Sequence, residues 1–266
     1  MEILQAILLG VIEGLTEFLP ISSTGHLIIA EEYLSFRDSA EVFTVVIQLG
    51  AIAAVAWYYR RELLSKSGGL LAGEKKAQDF WLNLTVATIP AAAVGLALAS
   101  QVDRITTPGV VAAALIAGAG VLLLADRLQP PSKNKNAEAD IEAITLRQAL
   151  IIGLAQVVAL IPGTSRSGAS IVGGMFSGLN RVTATAFSFY MGLPVLGLAG
   201  FYKLAVHGDE INSVSGGWAS IAVGLVVSFV VALAAISWLL RYVATHSFRI
   251  FVYYRIALGL MVLALL

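Results

Sequence analysis

The chain has 266 residues, 58% of them hydrophobic and only 13% charged, with a mean hydropathy of +0.84. Soluble domains carry about 25% charged residues, so a soluble globular enzyme is all but excluded, and the lack of cysteine excludes a disulfide scaffold. Lys plus Arg and Asp plus Glu balance at 17 each, which leaves no basic field for nucleic acid.

The apolar runs are long and continuous, unlike the short alternating segments of a barrel. The expected class is an all-α polytopic membrane protein, 1–266 forming a single membrane domain. The first run, roughly 3–30, is no simple span. It is interrupted by Glu13, Glu17, Pro20 and the polar string Ser22-Ser23-Thr24-Gly25-His26. With Glu2, no basic start and no small-residue cleavage site, it is not expected to be a signal peptide. Three full-length stretches follow at about 41–59, 80–99 and 108–126, long enough to cross about 30 Å of hydrocarbon. The segments around 60–79 and 129–144 are polar linkers. A second broken run, roughly 145–180, is interrupted by Gln156, Pro162 and Gly163-Thr164-Ser165-Arg166-Ser167-Gly168. Three more spans follow at about 183–202, 218–240 and 248–266. Polar, non-helical backbone at membrane depth survives only inside protein or beside a water-filled cavity, so both broken runs are expected to be re-entrant helix hairpins.

Offsetting the chain by 143 residues aligns the two hairpins. Gln5 falls on Gln148, Gly10 on Gly153, Glu13 on Gln156, Ser22 on Ser165, Thr24 on Ser167 and Gly25 on Gly168. Each hairpin precedes three spans, an odd number, so the second half should enter from the opposite side. The pattern predicts an inverted-topology repeat, 1–128 and 145–266 joined by the loop 129–144, with functional groups where the broken segments meet. Twelve of the 17 Lys and Arg fall in linkers on one side, among them Arg60, Lys66, Lys133, Lys135 and Arg181. Only Arg37, Arg104 and Lys203 fall on the other, and Arg166 and Arg255 lie at membrane depth. The basic side should be cytoplasmic, so the mouth of the first hairpin faces outward.

Charges at membrane depth cost roughly 2.5–3.5 kcal/mol each on insertion scales and need partners. Glu13 and Glu17, four apart, share a helix face. Two carboxylates repel unless a cation or proton lies between them, and Mg²⁺ binds through one or two carboxylates plus phosphate oxygens. The plainer reading pairs both with Arg166 and leaves one carboxylate uncompensated. Ser22, Ser23 and Thr24, and likewise Ser165 and Ser167, stand where they could cap half-helices whose free N–H groups bind phosphate. The plainer reading is a turn or a helix contact built from small residues. Arg166 supplies a planar fork for phosphate. His26, three residues after Ser23, could serve as acid or base or orient a serine nucleophile; a lone histidine is more often a core residue. Arg255 should snorkel or find an acidic partner. Glu31 and Glu32 should be solvated, His207 and His246 should lie in loops, and the tyrosines should be interfacial anchors. No Walker, Rossmann, haem or zinc pattern is present.

At these residues the sequence resembles the undecaprenyl-pyrophosphate phosphatase family, the integral-membrane bacitracin-resistance proteins. The resemblance rests on Glu13-Gly14-Leu15-Thr16-Glu17-Phe18-Leu19-Pro20-Ile21-Ser22-Ser23-Thr24-Gly25-His26 and Pro162-Gly163-Thr164-Ser165-Arg166-Ser167-Gly168. It implies a bacterial inner-membrane enzyme that converts a C55 polyprenyl diphosphate to the monophosphate and so recycles the carrier for cell-wall synthesis. It also implies a Mg²⁺ or Ca²⁺ requirement, catalytic roles for Glu13, Glu17, Ser23, His26 and Arg166, and a nucleophilic serine at Ser23. On this reading Glu13 and Glu17 hold the metal. Ser22, Thr24, Gly25, Gln156, Gly163, Thr164, Ser165, Ser167 and Gly168 line the substrate, and the site opens to the outer side. Partners are the lipid substrate and membrane lipids, with room for a homodimer. The rival class is an inverted-repeat secondary transporter or flippase, which has no need of a Ser–His pair beside carboxylates and an arginine.

Overall fold

The computed structural model describes residues 2–36, 38, 41–129 and 139–265. Arg37, Lys133 and Lys135 of the expected charge asymmetry, and most of the loop 129–144, lie outside the described residues. Those described form α-helices and short 3-10 turns, with no strand. In chain order they are α1 (Glu2–Thr16), α2 (Ser23–Leu34), α3 (Val42–Tyr58), α4 (Arg60–Leu71), α5 (Lys75–Ile105), α6 (Pro108–Leu128), α7 (Leu146–Val157), α8 (Arg166–Phe176), α9 (Arg181–His207), α10 (Gly217–Thr245) and α11 (Arg249–Leu265).

The helix starts follow from local chemistry. Thr107 caps α6 with Pro108 at its first turn, and Asn180 caps α9 by accepting from Thr183 N. Thr145 and Gln148 form a reciprocal capping box at the start of α7. Four helices, within α5, α6, α9 and α10, are long and apolar enough to cross a membrane, or five if α3 and α4 count as one bent span. Helices occupy all six expected span positions, but α11 has only 17 residues. The segment after Tyr59, expected as a linker, is instead the helix α4, set at 71° to α3. Its Arg, Glu, Leu and Lys residues are good helix formers, and Trp81 Nε1 donates to Lys66 O to hold it against α5.

Helices α1, α2, α7 and α8 have 15, 12, 12 and 11 residues. At 1.5 Å per residue none reaches about 30 Å. Gln5 Nε2 donates to Leu34 O (2.7 Å) and ties the start of α1 to the end of α2. The residues 143 further on repeat the tie: Gln148 Nε2 donates to Ser177 O (3.2 Å). Each hairpin leans its first helix on a long one through glycine. A Cβ on Gly14 of α1 would meet Ser228 O of α10 at 2.5 Å, and one on Gly153 of α7 would meet Ala87 O of α5 at 2.5 Å. Small residues are what allow such close backbone approach between membrane helices.

Charged contacts mark two ends of the bundle. At one, Lys203 pairs with Glu41, and Thr44 Oγ1 donates to Glu31; Glu31, expected to be solvated, is therefore half-buried and paired. At the other, Lys66 and Lys76 clasp Glu142 and hold its carboxyl down to about 2, and Asp126 pairs with Arg181 at 2.7 Å. Arg181 was expected as a solvated loop cation. It is buried instead, also donating to the carbonyls of Asp126, Gln129 and His246 where α6, α9 and α10 meet. His207 ends α9 beside Glu210, and His246 ends α10 stacked on Tyr242.

Gly14→Leu should prevent α1 from seating on α10, because the obstacle is backbone that cannot move aside. Overpacking of this kind costs about 1–3 kcal/mol or more. Gly120→Leu, with nothing within 4 Å of a Cβ, is the control. Thermal unfolding in detergent should show a clear drop for the first variant and little change for the second.

Candidate active site

The two hairpin tips meet. Helix α2 starts at Ser23, with Ser22 as its N-cap at φ 69°, ψ 102° and its hydroxyl accepting from Gly25 N. Helix α8 starts at Arg166, with Ser165 at φ 74°, ψ 113° and its hydroxyl accepting from Gly168 N (3.1 Å). A non-glycine residue with positive φ is uncommon, and here the same strained cap occurs twice, 143 residues apart. Ser167 Oγ, fully buried, donates to Leu19 O (2.8 Å) and stitches the second tip to the first.

Glu17 is the hub. Arg166 Nη2 donates to its Oε1 (2.9 Å) and Ser23 Oγ donates to its Oε2 (2.7 Å). Arg166 also donates through Nη1 to Ser188 O (2.9 Å) and lies over the Phe18 ring. Gly192 of α9 makes room for it: a Cβ there would come within 3.2 Å of Nη1. A guanidinium has five N–H groups; two are used here, and Nε is buried without a partner. Glu13 lies on the buried face of α1, 1% exposed, and neither carboxylate oxygen has a hydrogen-bond partner. Glu17 and Arg166 are the charged groups that act on it most. Arg166 therefore pairs with Glu17 and not with both carboxylates, and Glu13 is left without a hydrogen-bond partner.

The expected contact between Ser23 and His26 is not formed. The helix turns His26 back over its own N-cap, so Nδ1 meets Ser22 O (2.7 Å) and Nε2 meets the Tyr254 hydroxyl (2.8 Å). The group that holds the Ser23 proton is Glu17. Arg255 finds neither water nor an acid. It is 1% exposed, and its guanidinium donates to five backbone carbonyls: Leu115 and Ala114 of α6, Pro20 of the first tip, and Gly163 and Thr164 of the second. A neighbouring glycine makes this fit, since a Cβ on Gly118 would lie 2.1 Å from Nη2.

Several expected substrate contacts are thereby engaged in the protein. Gly163, at φ 93°, packs on the Val111 backbone, and its carbonyl and that of Thr164 belong to Arg255. Ser165 Oγ pairs with Ser167 Oγ (3.1 Å). Gly25 faces Leu115 and Leu258. Thr24 is exposed at the helix start. Gln156, 143 residues from Glu13, is buried with neither amide atom partnered. Tyr254 and Ser188 carried no signal in the sequence; Arg255 did, as a cation inside an apolar span.

The family described as "Bacitracin resistance protein BacA" matches residues 6–261. The chain belongs to the BacA family. It is similar to "Undecaprenyl-diphosphatase 1" of Burkholderia cenocepacia (strain HI2424), 46% identical over 263 residues, covering 98% of this chain and 94% of that one. It is also similar to "Undecaprenyl-diphosphatase" of Dechloromonas aromatica (strain RCB), 47% identical over 264 residues with the same coverage. With its apolar helices, this BacA-family chain is a multi-pass membrane protein.

Arg255→Lys keeps the charge but offers three donors in place of a fork spanning five carbonyls. Each buried carbonyl left unpaired costs about 1–3 kcal/mol. The variant should unfold at a clearly lower temperature and lose hydrolysis in parallel, as read by a thermal melt and phosphate release on the same preparation.

Proposed function

We propose that this chain is an undecaprenyl-diphosphate phosphatase whose reaction is carried by the Arg166–Glu17–Ser23 line at the meeting of the two hairpin tips. The activity follows from family membership and from relatives named undecaprenyl-diphosphatase that match over 94% of their length. The enzyme hydrolyses the lipid diphosphate to the monophosphate and phosphate, which recycles the cell-wall carrier and underlies bacitracin resistance. The observation that carries the site is the 2.7 Å bond from the Ser23 hydroxyl to Glu17. A serine is a weak nucleophile until a base takes its proton, and here the base is in place and oriented from behind by Arg166.

Ser23 Oγ attacks the terminal phosphorus as its proton passes to Glu17. The bond to the bridging oxygen breaks and the polyprenyl monophosphate leaves. Water then attacks the phosphoserine, the Ser23 Oγ–phosphorus bond breaks, Glu17 returns its proton to Ser23 Oγ, and the protons of the water leave with the released phosphate. Arg166 keeps one N–H on each Nη for the phosphoryl oxygens while holding Glu17, and phosphoryl transfer depends mainly on such positioning and charge. His26, half-buried with Nε2 unprotonated, is the second acid–base group.

A divalent cation fits this site. Among the described residues no cluster of three or more His, Cys, Asp or Glu could hold a metal alone. Mg²⁺ needs only one or two carboxylates when the substrate's phosphates complete its shell, and the orphaned Glu13 carboxylate, with Glu17 beside it, supplies them. When bound, Mg²⁺ or Ca²⁺ would neutralise diphosphate charge.

The finer architecture belongs to the same proposal: six spans and two re-entrant hairpins arranged as an inverted repeat in the bacterial inner membrane. Support comes from the matched ties at Gln5 and Gln148, the matched caps at Ser22 and Ser165, and the meeting of the tips. With the Lys66, Lys76 and Arg181 end cytoplasmic, the mouth of the first hairpin opens outward. The chain has no cysteine, so single cysteines at the exposed Tyr33 and Lys76 report orientation. An impermeant thiol reagent on intact cells should label the first and spare the second; the reverse pattern would invert the topology.

Ser23→Ala and Glu17→Gln should each lower kcat by about 10³-fold or more while the protein stays folded, and the double variant should be little worse, because groups acting as one unit are not additive. Ser22→Ala should keep most activity and lose about 0.5–2 kcal/mol of stability as a lost cap. Phosphate release from a polyprenyl diphosphate, titrated against Mg²⁺, is the measurement. Additive losses for Ser23 and Glu17 would remove the serine as nucleophile.

A further inference from the structure

We propose that Tyr254 of α11 is a positioning residue for His26, holding the imidazole in one tautomer and one orientation over the Ser22 N-cap. This rests on the reading above that His26 takes part in the reaction. A backbone carbonyl can only accept, so the 2.7 Å contact of Nδ1 with Ser22 O places the ring proton on Nδ1. In the neutral ring Nε2 is then an acceptor, and the Tyr254 hydroxyl at 2.8 Å is its donor. The tautomer of a histidine is set by the bond its other nitrogen makes; here both nitrogens are specified, one by each hairpin-flanking element. The two rings also lie nearly parallel, 10° apart with centroids at 5.5 Å, which limits rotation of the imidazole.

Tyr254 is suited to this task by its neighbour. Arg255, one residue on, is fixed to both hairpin tips by three of its five carbonyl bonds, so the register of α11 against α2 is set at this point. Leu258, one turn later, lies beside Gly25 of α2. The environment separates Tyr254 from an ordinary interfacial tyrosine. Tyr253 is 68% exposed. Tyr254 is 46% exposed, and its hydroxyl lies against the imidazole.

Tyr254→Phe removes one oxygen and keeps the ring, so the fold should be unchanged. Purified full-length protein in detergent, assayed for phosphate release from a polyprenyl diphosphate, should show kcat lowered by about 10- to 100-fold, the scale of a misplaced catalytic group, with KM nearly unchanged. His26→Ala should be impaired, and the double variant His26→Ala with Tyr254→Phe should be no worse than His26→Ala alone. Nitrogen-15 spectra of the imidazoles give a readout that packing alone would not move. The chain has three histidines, and the resonances lost in His26→Ala identify the ring. They should report an Nδ1–H tautomer in the wild type and a tautomer mixture in Tyr254→Phe. A Tyr254→Phe variant with wild-type kcat and an unchanged His26 spectrum would overturn the proposal. So would additive losses in the double variant, which would mean that Tyr254 acts on substrate independently. A fully active His26→Ala would instead overturn the assignment of His26 to the reaction, and the positioning role with it.

Discussion

The Arg255 guanidinium is a buried cation with no carboxylate partner, and the geometry of both hairpin tips depends on it. Two needs meet in it. A charge at membrane depth must be compensated, and irregular backbone at that depth must have its carbonyls satisfied. The tips around Pro20 and Gly163–Thr164 break their helices and so expose carbonyl dipoles; the guanidinium supplies the donors. It also reaches Ala114 and Leu115 of α6, so three segments far apart in sequence are pinned to one planar group. With Ser167 Oγ bound to Leu19 O, this fixes the distance between the tips. That distance in turn decides whether Arg166 on one can reach Glu17 on the other.

The hairpins share their frame and divide their chemistry. Matched positions build the same cap, Ser22 and Ser165, and the same mouth tie, Gln5 and Gln148. Where function is concentrated the residues differ. Glu17, Ser23 and His26 of the first hairpin stand opposite Leu160, Arg166 and Ala169 of the second. On the proposed mechanism, a carboxylate base and a nucleophile come from one tip and the phosphate-binding fork from the other. Neither hairpin holds a complete site, and the Arg166–Glu17 bond is the seam.

What the sequence made legible follows from the range of each signal. Composition and run length are global, so the all-helical membrane class could be read at once. The two breaks could be read because polar strings inside apolar runs have few structural explanations, and the motif carried the family. Arg255 was flagged by the same logic, but its partners are backbone atoms, which leave no trace in residue identity. Carboxylates were the natural expectation, and carbonyls were found. The Ser23–His26 contact was inferred from spacing along one helix. The chain places Glu17, six residues back across the turn, nearer to Ser23 and turns His26 over Ser22. Helical periodicity could not see the turn, since its course depends on the positive φ of Ser22. Helix α4 was missed because polar composition was read as a linker, whereas its residues are helix formers with one side packed on α5.

Glu13 and Gln156 complete the argument. They occupy matched positions, both buried and both without hydrogen-bond partners. An unpaired buried amide is a modest penalty, whereas an unpaired buried carboxylate is a large one unless it is protonated or meets a cation. Arg166, the nearby cation among the described residues, is already bound to Glu17 and Ser188 O. The frame is the same in both hairpins, so packing alone gives no reason for a carboxyl in one and an amide in the other. The difference lies in what each hairpin faces chemically. Glu13 stands on the side that bears Glu17 and Ser23, where a diphosphate brings more negative charge. On the proposed mechanism, a divalent cation arriving with the substrate would compensate a carboxylate placed there.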